Sequence, residues 1–184
     1  MRVHTRPGRL SAIVLIAATT LPGLAACAAE AEAEVVSAPA VREALVDLYA
    51  GGRAAGDDPR DAECFADELL ERVTPEELRD GGVLDETFAP RAEKTALDRP
   101  VAEAWTEAQM ACSDFVEQST QAQEVLTKGR LDAGAYETCL DGRLDEKTIR
   151  EATTATLMAR LDDPAVGELS VAQSECSVLS VPRG

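Results

Sequence analysis

Apolar side chains recur every three to four residues over most of the chain beyond residue 40, a spacing that places them on one face of an α-helix. The first such set ends at the Gly51-Gly52 pair, where a helix is expected to stop. Its members are Val41, Leu45, Leu48 and Tyr49. No stretch alternates apolar and polar residues for long enough to indicate a β-strand, so the pattern predicts an all-α fold.

Two more helix starts follow in the first half of the chain. Asp58 is an expected N-cap and Pro59 takes the first helical position, where its missing N–H costs nothing. The buried side of this helix is predicted to consist of Phe65, Leu69, Leu70 and Val73. Thr74 and Glu77 have the spacing of a capping box, which predicts a short helix ending at the Gly81-Gly82 pair.

A predicted loop and a longer helix complete the first half. Residues 83–99 have no sustained period, and Leu84 and Phe88 are expected to reach from this loop into the core. Pro100 then begins a helix whose apolar stripe continues to Phe115 or Val116. The other members of the stripe are Val101, Trp105, Ala108 and Cys112. We interpret the Trp as a core residue rather than a platform for a ligand.

Four helices are also predicted in the second half. The first two cover 121–128 and 133–144. Asp145 can cap the third, which is expected to extend to Leu161, and the Asp163-Pro164 pair begins the last. The apolar side of the third helix is predicted to contain Ile149, Ala152, Thr156 and Leu157.

Short motifs of the first half recur in the second half in the same order, which predicts an internal repeat. The matched pairs are Gly52-Arg53 with Gly129-Arg130, Cys64 with Cys139, and the hexapeptides at 108–113 and 172–177. A Leu also stands five residues after each matched Cys. The alternative is chance similarity within a chain rich in Ala and Glu.

The chain has five Cys residues, four of which lie in the predicted helical part. For a chain outside the cytoplasm, an even number predicts two disulfides. If each repeat is self-contained, Cys64 joins Cys112 and Cys139 joins Cys176, and this pairing is preferred. Joining the equivalent residues, Cys64 to Cys139 and Cys112 to Cys176, also respects the repeat and stays open. A four-thiolate zinc site is less favoured, since no Cys-x-x-Cys pair provides its usual spacing.

The position of Cys64 raises a question about its helix. On a helical wheel Cys64 lies opposite the stripe formed by Phe65, Leu69 and Val73. Its partner must therefore approach from the polar side, or the helix must begin later than Pro59.

The first 26 residues have the organisation of a secretory leader. Three Arg residues precede an uncharged, mostly aliphatic run at 10–21, and the Pro22-Gly23 pair interrupts any helix. The alternative is an uncleaved membrane anchor, because the uncharged run from 10 to 29 nearly spans a bilayer of about 30 Å.

The leader ends in Leu24-Ala25-Ala26-Cys27, which resembles the lipobox of bacterial lipoprotein precursors. The resemblance covers only the signal region. It implies cleavage before Cys27 and acyl chains such as palmitate on the thiol and new amino group of that residue. Two or three acyl chains hold a protein on a membrane much more firmly than one.

The chain after this leader is strongly acidic. The leader contains three of the 18 Lys and Arg residues and none of the 34 acids, so residues 27–184 have a formal charge of −19. A field of that sign disfavours nucleic acid and anionic lipid headgroups as partners. The only His is His4, so the remaining chain has no imidazole for Ser-His-Asp or Cys-His catalysis or for His-ligated zinc or haem.

Carboxylates alone are the remaining route to catalysis, as in glycoside hydrolysis. The acids on the second predicted helix are distributed around it and do not form one constellation: Glu63, Asp67, Glu68 and Glu71. Clustered acids at Asp57-Asp58, Asp61 or Asp162-Asp163 could bind calcium, but the chain lacks the loop spacing of an EF-hand. We therefore expect no catalytic residue, no metal ligand and no cofactor.

Together these features predict four segments. They are a signal peptide at 1–26, Cys27 with a flexible, partly helical Ala/Glu-rich tether at 27–40, and helical repeats of about four helices each at 41–118 and 119–184. The expected function is that of an extracytoplasmic lipoprotein, anchored to the membrane through Cys27, with a non-catalytic binding or structural role in the cell envelope. Its partner would be an envelope protein or a small ligand between the halves. The alternative is a carboxylate-dependent envelope hydrolase or a cation-binding protein.

Overall fold

The structure, a computed structural model, describes residues 38–51, 59–91 and 96–182. Eight α-helices form most of this part of the chain. The first four are α1 (Ala38–Gly51), α2 (Pro59–Leu70), α3 (Pro75–Asp80) and α4 (Arg99–Cys112). The last four are α5 (Phe115–Thr127), α6 (Ala133–Asp141), α7 (Glu146–Leu157) and α8 (Pro164–Ser180). These residues contain no β-strand, and the all-α prediction is confirmed.

Side-chain caps fix where most of these helices begin. The side chain of the N-cap residue accepts a backbone N–H at the start of six helices, and these residues are Thr74, Asp98, Asp114, Asp132, Asp145 and Asp163. Thr74 and Glu77 form the predicted capping box. The predicted helix starts at Asp145 and Asp163 are also confirmed. Asp58 lies outside the described residues, but α2 does begin at Pro59.

The junction between α4 and α5 differs from the prediction. Ser113 has an extended backbone, and the carboxylate of Asp114 accepts the N–H groups of Val116 and Glu117, so a new helix starts at Phe115. The prediction of one stripe from α4 through Phe115 or Val116 is therefore wrong. The helix expected at 121–128 begins six residues earlier, and the expected limit between 118 and 119 falls inside α5.

Two further helix ends and one start also differ. α6 ends at Asp141, because the chain turns at Gly142, and does not reach Leu144. α7 ends at Leu157, since Ala159 has a left-handed φ of 54° and the N–H of Arg160 bonds back to the carbonyl of Ala155 at 2.8 Å. α1 begins at Ala38, so its first three residues belong to the stretch assigned to the tether.

The first four helices enclose a core of their own. Its fully buried large side chains are Val41, Leu45, Phe65, Leu69, Leu78, Leu84 and Val101. A row of aromatic rings joins three helices, because Phe65 of α2 stacks on Tyr49 of α1 at 4.0 Å and meets the edge of Trp105 of α4 at 4.7 Å. In the loop after α3, Leu84 is fully buried and Phe88 is half-buried beneath the guanidinium of Arg79, as expected for side chains that reach the core.

A second, smaller core lies among the last four helices. It consists of Leu131, Tyr136, Leu140, Ala172 and Cys176, with half-buried apolar neighbours around it. The hydroxyl of Tyr136 reaches Ser119 at 2.9 Å, and Gln173 donates to the same Ser119 oxygen at 3.0 Å. These bonds satisfy polar atoms that would otherwise be buried without partners.

Each core contains one disulfide, and the preferred pairing is confirmed. Cys64 bonds to Cys112 and Cys139 bonds to Cys176, which joins α2 to α4 and α6 to α8. α2 starts at Pro59, so Cys64 does lie away from the Phe65 side of its helix. Its partner reaches it because α2 packs against α1 and also against α4.

The order of packing is similar in the two halves. α1 packs on α2 and α2 on α4, while α5 packs on α6 and α6 on α8. This order is compatible with two tandem repeats in which α1 to α4 correspond to α5 to α8. The halves meet where α4 packs against α7, which in turn packs against α8. All the described residues belong to one compact unit within 35–184.

Candidate functional site

The contact between the two halves is the first candidate site, because it is where a partner was expected. We call it the seam; it consists of Leu97, Thr106 and Glu107 from the first half and Arg150, Thr154 and Leu157 from the second. Thr106 is completely buried, donates to the carbonyl of Ala102 at 2.9 Å and accepts from the hydroxyl of Thr154 at 2.9 Å. At this point the halves are joined directly by one side-chain hydrogen bond.

The edges of the seam are closed by backbone and ionic contacts. The N–H of Leu97 donates to the carbonyl of Leu157 at 2.9 Å. Arg150 lies 3.1 Å from Glu107 across the seam and 2.5 Å from Glu146 on its own helix. The seam thus combines the buried hydroxyl of Thr106 and the half-buried hydroxyl of Thr154 with an exposed ionic rim.

Two of the four acids considered for catalysis, Asp67 and Glu68, are paired with arginines. Asp67 accepts two hydrogen bonds from Arg42 at 2.5 and 2.9 Å, which join α2 to α1. Glu68 pairs with Arg72 one turn further along the chain at 2.6 Å. The hydrogen bonds from Arg42 hold the pKa of Asp67 below its usual value of 3.8. A general acid needs the opposite shift, since it must hold a proton near neutral pH.

The other perturbed acids on the described residues have structural partners. Backbone and hydroxyl groups of Thr74 lower the pKa of Glu77, and the hydroxyl and N–H of Thr87 lower that of Asp85. The N–H of Thr148 does the same for Asp145 at the start of α7. Each of these carboxylates accepts hydrogen bonds within a helix cap or a turn, so its charged form stabilises the fold.

Trp105, which was weighed as a ligand platform, and Tyr136 have different environments. Trp105 is half-buried and packs on the first core, as its place on the α4 stripe predicts. Tyr136 is completely buried, and this burial raises the pKa of its hydroxyl, which Ser119 partly offsets by hydrogen bonding. Both therefore contribute to packing in the conformation described.

The residues proposed for ion binding lie only partly within the described ranges. Across 38–51, 59–91 and 96–182, no three His, Cys, Asp or Glu side chains are grouped so that they could hold a metal ion. Asp163 caps α8 and pairs with Arg160 at 2.7 Å. Asp57 and Asp58 lie outside the described residues, as do Cys27 and the lipobox-like tetrapeptide.

One exposed surface was missed by the sequence patterns. We call it the apolar end; it consists of Val125 and Leu126 of α5 and Val178 and Leu179 of α8. Ser119 and Gln123 of α5 bond to Gln173 and Ser177 of α8, so the two helices run in the same direction and finish at the same end of the molecule. The sequence contains a hint of this surface, because α8 has apolar residues all around its axis and one helix cannot bury them all.

The described helices are short or polar in comparison with membrane spans. Among these residues, no helix combines the length and the apolar character needed to cross a bilayer.

Comparisons with known proteins identify no relative. No protein-family model, no curated protein and no solved structure matches this chain.

Proposed function

We propose that the mature chain is an extracytoplasmic lipoprotein, held on the membrane by acyl chains on Cys27, with a non-catalytic binding or structural role in the cell envelope. The observation that carries this proposal is the Leu24-Ala25-Ala26-Cys27 tetrapeptide at the end of a basic and then apolar leader. This position gives the tetrapeptide its meaning, since the same four residues elsewhere in an Ala-rich chain would carry little weight.

The two disulfides support a location outside the cytoplasm. Cys64–Cys112 and Cys139–Cys176 account for every Cys other than Cys27. Structural disulfides persist in oxidising compartments and are rare where glutathione and thioredoxin keep thiols reduced. The thiol left without a partner is thus the one that the resemblance assigns to lipid attachment.

The engagement of the acids supports a non-catalytic role. Asp67 and Glu68 are paired with Arg42 and Arg72, and the pKa of Asp67 is lowered, which is the opposite of the shift that a general acid needs. No observation on the described residues favours the carboxylate hydrolase over a binding protein.

The partner is expected where the two stapled halves meet. Ligand sites form preferentially between packed units and between the helices of a bundle. The surface beside the seam fits this rule, because α4 and α7 come from different halves and their ionic rim is exposed. An envelope protein or a small ligand is the expected occupant.

The lipid anchor is tested by Cys27→Ser. We expect the variant to accumulate as uncut precursor or to leave the membrane fraction, and its mass should lack the acyl chains present on the wild-type chain. Ala29→Ser, two residues further on, is the matched control and should keep both membrane retention and the added mass of the acyl chains. Unchanged retention and mass in Cys27→Ser would contradict lipidation.

The non-catalytic role is tested separately by thermal shift with metal cations and envelope sugars. A binding role predicts recovery of a protein partner from crosslinked membranes, or a saturable shift without turnover. Turnover of a sugar substrate that is lost in Asp67→Asn would favour the hydrolase instead.

A further inference from the structure

The four apolar side chains of the apolar end are largely exposed to solvent. Its four side chains are 67%, 72%, 69% and 67% exposed for Val125, Leu126, Val178 and Leu179 respectively. Single exposed apolar residues are common, but a group of them at one end of a molecule indicates an interaction surface.

The charges beside the apolar end differ from those of the rest of the chain. Lys128 and Arg130 lie in the turn after α5 and are exposed, and within the described residues neither has an ion-pair partner. Most other described arginines are paired with acids: Arg42, Arg72, Arg79, Arg99, Arg143, Arg150 and Arg160.

Acids are sparse at the apolar end. No Asp or Glu occurs in 125–131 or in 176–182, although the whole chain has a net charge of −16. Glu124 and Asp132 flank the turn, and Asp132 is engaged as the N-cap of α6. The surface therefore combines exposed apolar side chains with free cations on an otherwise acidic protein.

Hydrogen bonds fix the backbone of the turn and the side chain of Arg130. Lys128 has a left-handed φ of 56° and Gly129 a φ of 69°, and the N–H of Gly129 bonds back to the carbonyl of Glu124 at 2.8 Å. The Nε of Arg130 donates to the carbonyl of Thr127 at 3.1 Å. Both side chains thus follow directly after the exposed Val125 and Leu126.

We propose that the apolar end docks on a lipid bilayer with anionic headgroups. Apolar side chains enter the boundary between headgroups and acyl chains, and the ammonium of Lys128 and the guanidinium of Arg130 neutralise headgroup phosphates. The acidic remainder of the surface is repelled by the same headgroups, so the attraction is confined to this end and orients the molecule.

Charge also argues against a second copy as the occupant. A symmetric dimer through this end would use the same patch on both chains and bring Lys128 and Arg130 of one copy against their equivalents in the other. A bilayer offers complementary charge without that repulsion.

This docking rests on the proposed function, because it is the lipid anchor that places the protein beside a bilayer. The 11 residues from 27 to 37 can span at most about 40 Å. A domain of about 150 residues has a radius of gyration near 15 Å. An anchor at Cys27 therefore allows this end to reach the membrane surface.

The test measures sedimentation of residues 28–184 with vesicles. This piece lacks Cys27 and contains the compact unit with every described helix, both cores and both disulfides, so it is expected to fold without the leader. We expect binding to equimolar phosphatidylglycerol and phosphatidylcholine that weakens as salt is raised, and much weaker binding to phosphatidylcholine alone.

Variants locate the contact. Leu126→Ser should lower binding to the anionic vesicles about tenfold, and Lys128→Gln should lower it about fivefold. Leu161→Ser and Lys147→Gln are matched controls, since Leu161 is 68% exposed and Lys147 is exposed on α7, and neither should change binding. Circular dichroism checks that each variant keeps its helices.

Several outcomes would overturn the docking. These are no sedimentation with anionic vesicles, an equal loss for Leu126→Ser and Leu161→Ser, or a dimer that Leu126→Ser dissociates while no vesicle binding occurs. The result is independent of acylation because the piece tested has no Cys27. The docking can thus fail while the anchor is confirmed, or hold while the anchor is disproved.

Discussion

At the scale of single residues, Gly81 determines how closely α3 and α4 approach. A Cβ at this position would lie 2.5 Å from Cγ2 of Val101 and 2.9 Å from the carbonyl oxygen of Glu77. Its φ of −80° suits any residue, so glycine is required by the close approach and not by backbone conformation. Gly167 in α8 is the opposite case, since a Cβ there would meet no atom within 4 Å.

These two glycines give a matched pair of predictions. Gly81→Ala should lower the free energy of unfolding by about 1–3 kcal/mol, because neither Val101 nor the α3 backbone can move without disturbing the core. Gly167→Ala should raise it by up to about 1 kcal/mol, since Ala loses less backbone entropy in a helix. Urea unfolding followed by circular dichroism measures both, and equal effects of the two changes would contradict this interpretation.

Individual carboxylates also determine how stability depends on pH. The pKa values of Asp67, Glu77, Asp85 and Asp145 are lowered in the folded state by hydrogen bonds to their charged forms. A lowered folded pKa contributes stability above the unfolded pKa, and this contribution is lost as pH falls through the folded pKa. The relevant ordinary values are 3.8 for Asp and 4.5 for Glu.

We therefore expect the melting temperature to fall steadily once the pH drops below about 4.5. Asp145→Asn keeps an oxygen that can cap α7 but cannot titrate, so it should melt like the wild type at pH 7 and lose less stability between pH 4.5 and 3. Thermal unfolding at several pH values checks this. A wild-type melting temperature that rises on acidification would refute the sign.

At the scale of elements, each half is held by one disulfide, but the two cores differ in size. The first core buries Phe65 and several Leu and Val side chains, whereas the second has Tyr136 as its single aromatic residue and relies on Ala172 and Cys176 on the α8 side. Each bond constrains the unfolded chain, and the chain-entropy model gives about 4 kcal/mol for loops of this length. The smaller core therefore depends more heavily on its disulfide.

Removal of Cys139–Cys176 should uncouple the halves during unfolding. In the double variant Cys139→Ala, Cys176→Ala, we expect helix content to fall at a lower urea concentration than the fluorescence of Trp105 changes, since this Trp packs on the first core. The double variant Cys64→Ala, Cys112→Ala is the counterpart and should bring the Trp105 transition to lower urea. Coincident transitions in the first variant would show that the halves unfold together.

At the scale of the whole molecule, the seam joins the two halves, each of which contains one disulfide, into one unit. The hydroxyls of Thr106 and Thr154 meet across it at 2.9 Å, and Arg150 and Glu107 form part of its rim. A half-buried hydrogen bond of this kind contributes about 0.5–1.5 kcal/mol net. The seam is thus specific in geometry but modest in energy.

A double-mutant cycle with Thr106→Val and Thr154→Val measures this coupling. Each single variant leaves the other hydroxyl without its partner across the seam, so the double variant should be more stable than the sum of the two single effects predicts. The expected interaction energy is about 0.5–1.5 kcal/mol from urea unfolding. Strict additivity would mean that the two hydroxyls are not coupled.

The sequence predicted some of the candidate surfaces better than others. The acids of α2 were visible as a set, and their distribution around the helix already argued against a constellation. The pairing of Asp67 with Arg42 could not be predicted, because Arg42 lies on α1 and only packing brings it to Asp67. Glu68 and Arg72, by contrast, are four residues apart in the sequence. A site between the halves was expected, but the residues that form the seam were not predicted, and the apolar end was missed altogether. The reason is the same for both, since each joins helices from distant parts of the chain.

The sequence by itself determined the features that depend on local contacts. Helix starts at Thr74, Asp145 and Asp163, and helix ends at Gly51 and Gly81, follow from caps and turn residues within a few positions of one another. The repeated motifs ranked the disulfide pairings, and the structure has the one preferred. These interactions form between neighbours in the chain or between positions that the repeat relates.

Only the tertiary structure decided which helices are neighbours and which apolar residues stay exposed. The packing of α4 on α7, the approach of Cys112 to the polar side of α2, and the shared end of α5 and α8 all bring together residues far apart in sequence. A helical period shows that a residue lies on an apolar face, but burial requires a second element to cover that face. At Leu161 and Leu126 no such element is present among the described residues, and both leucines remain exposed.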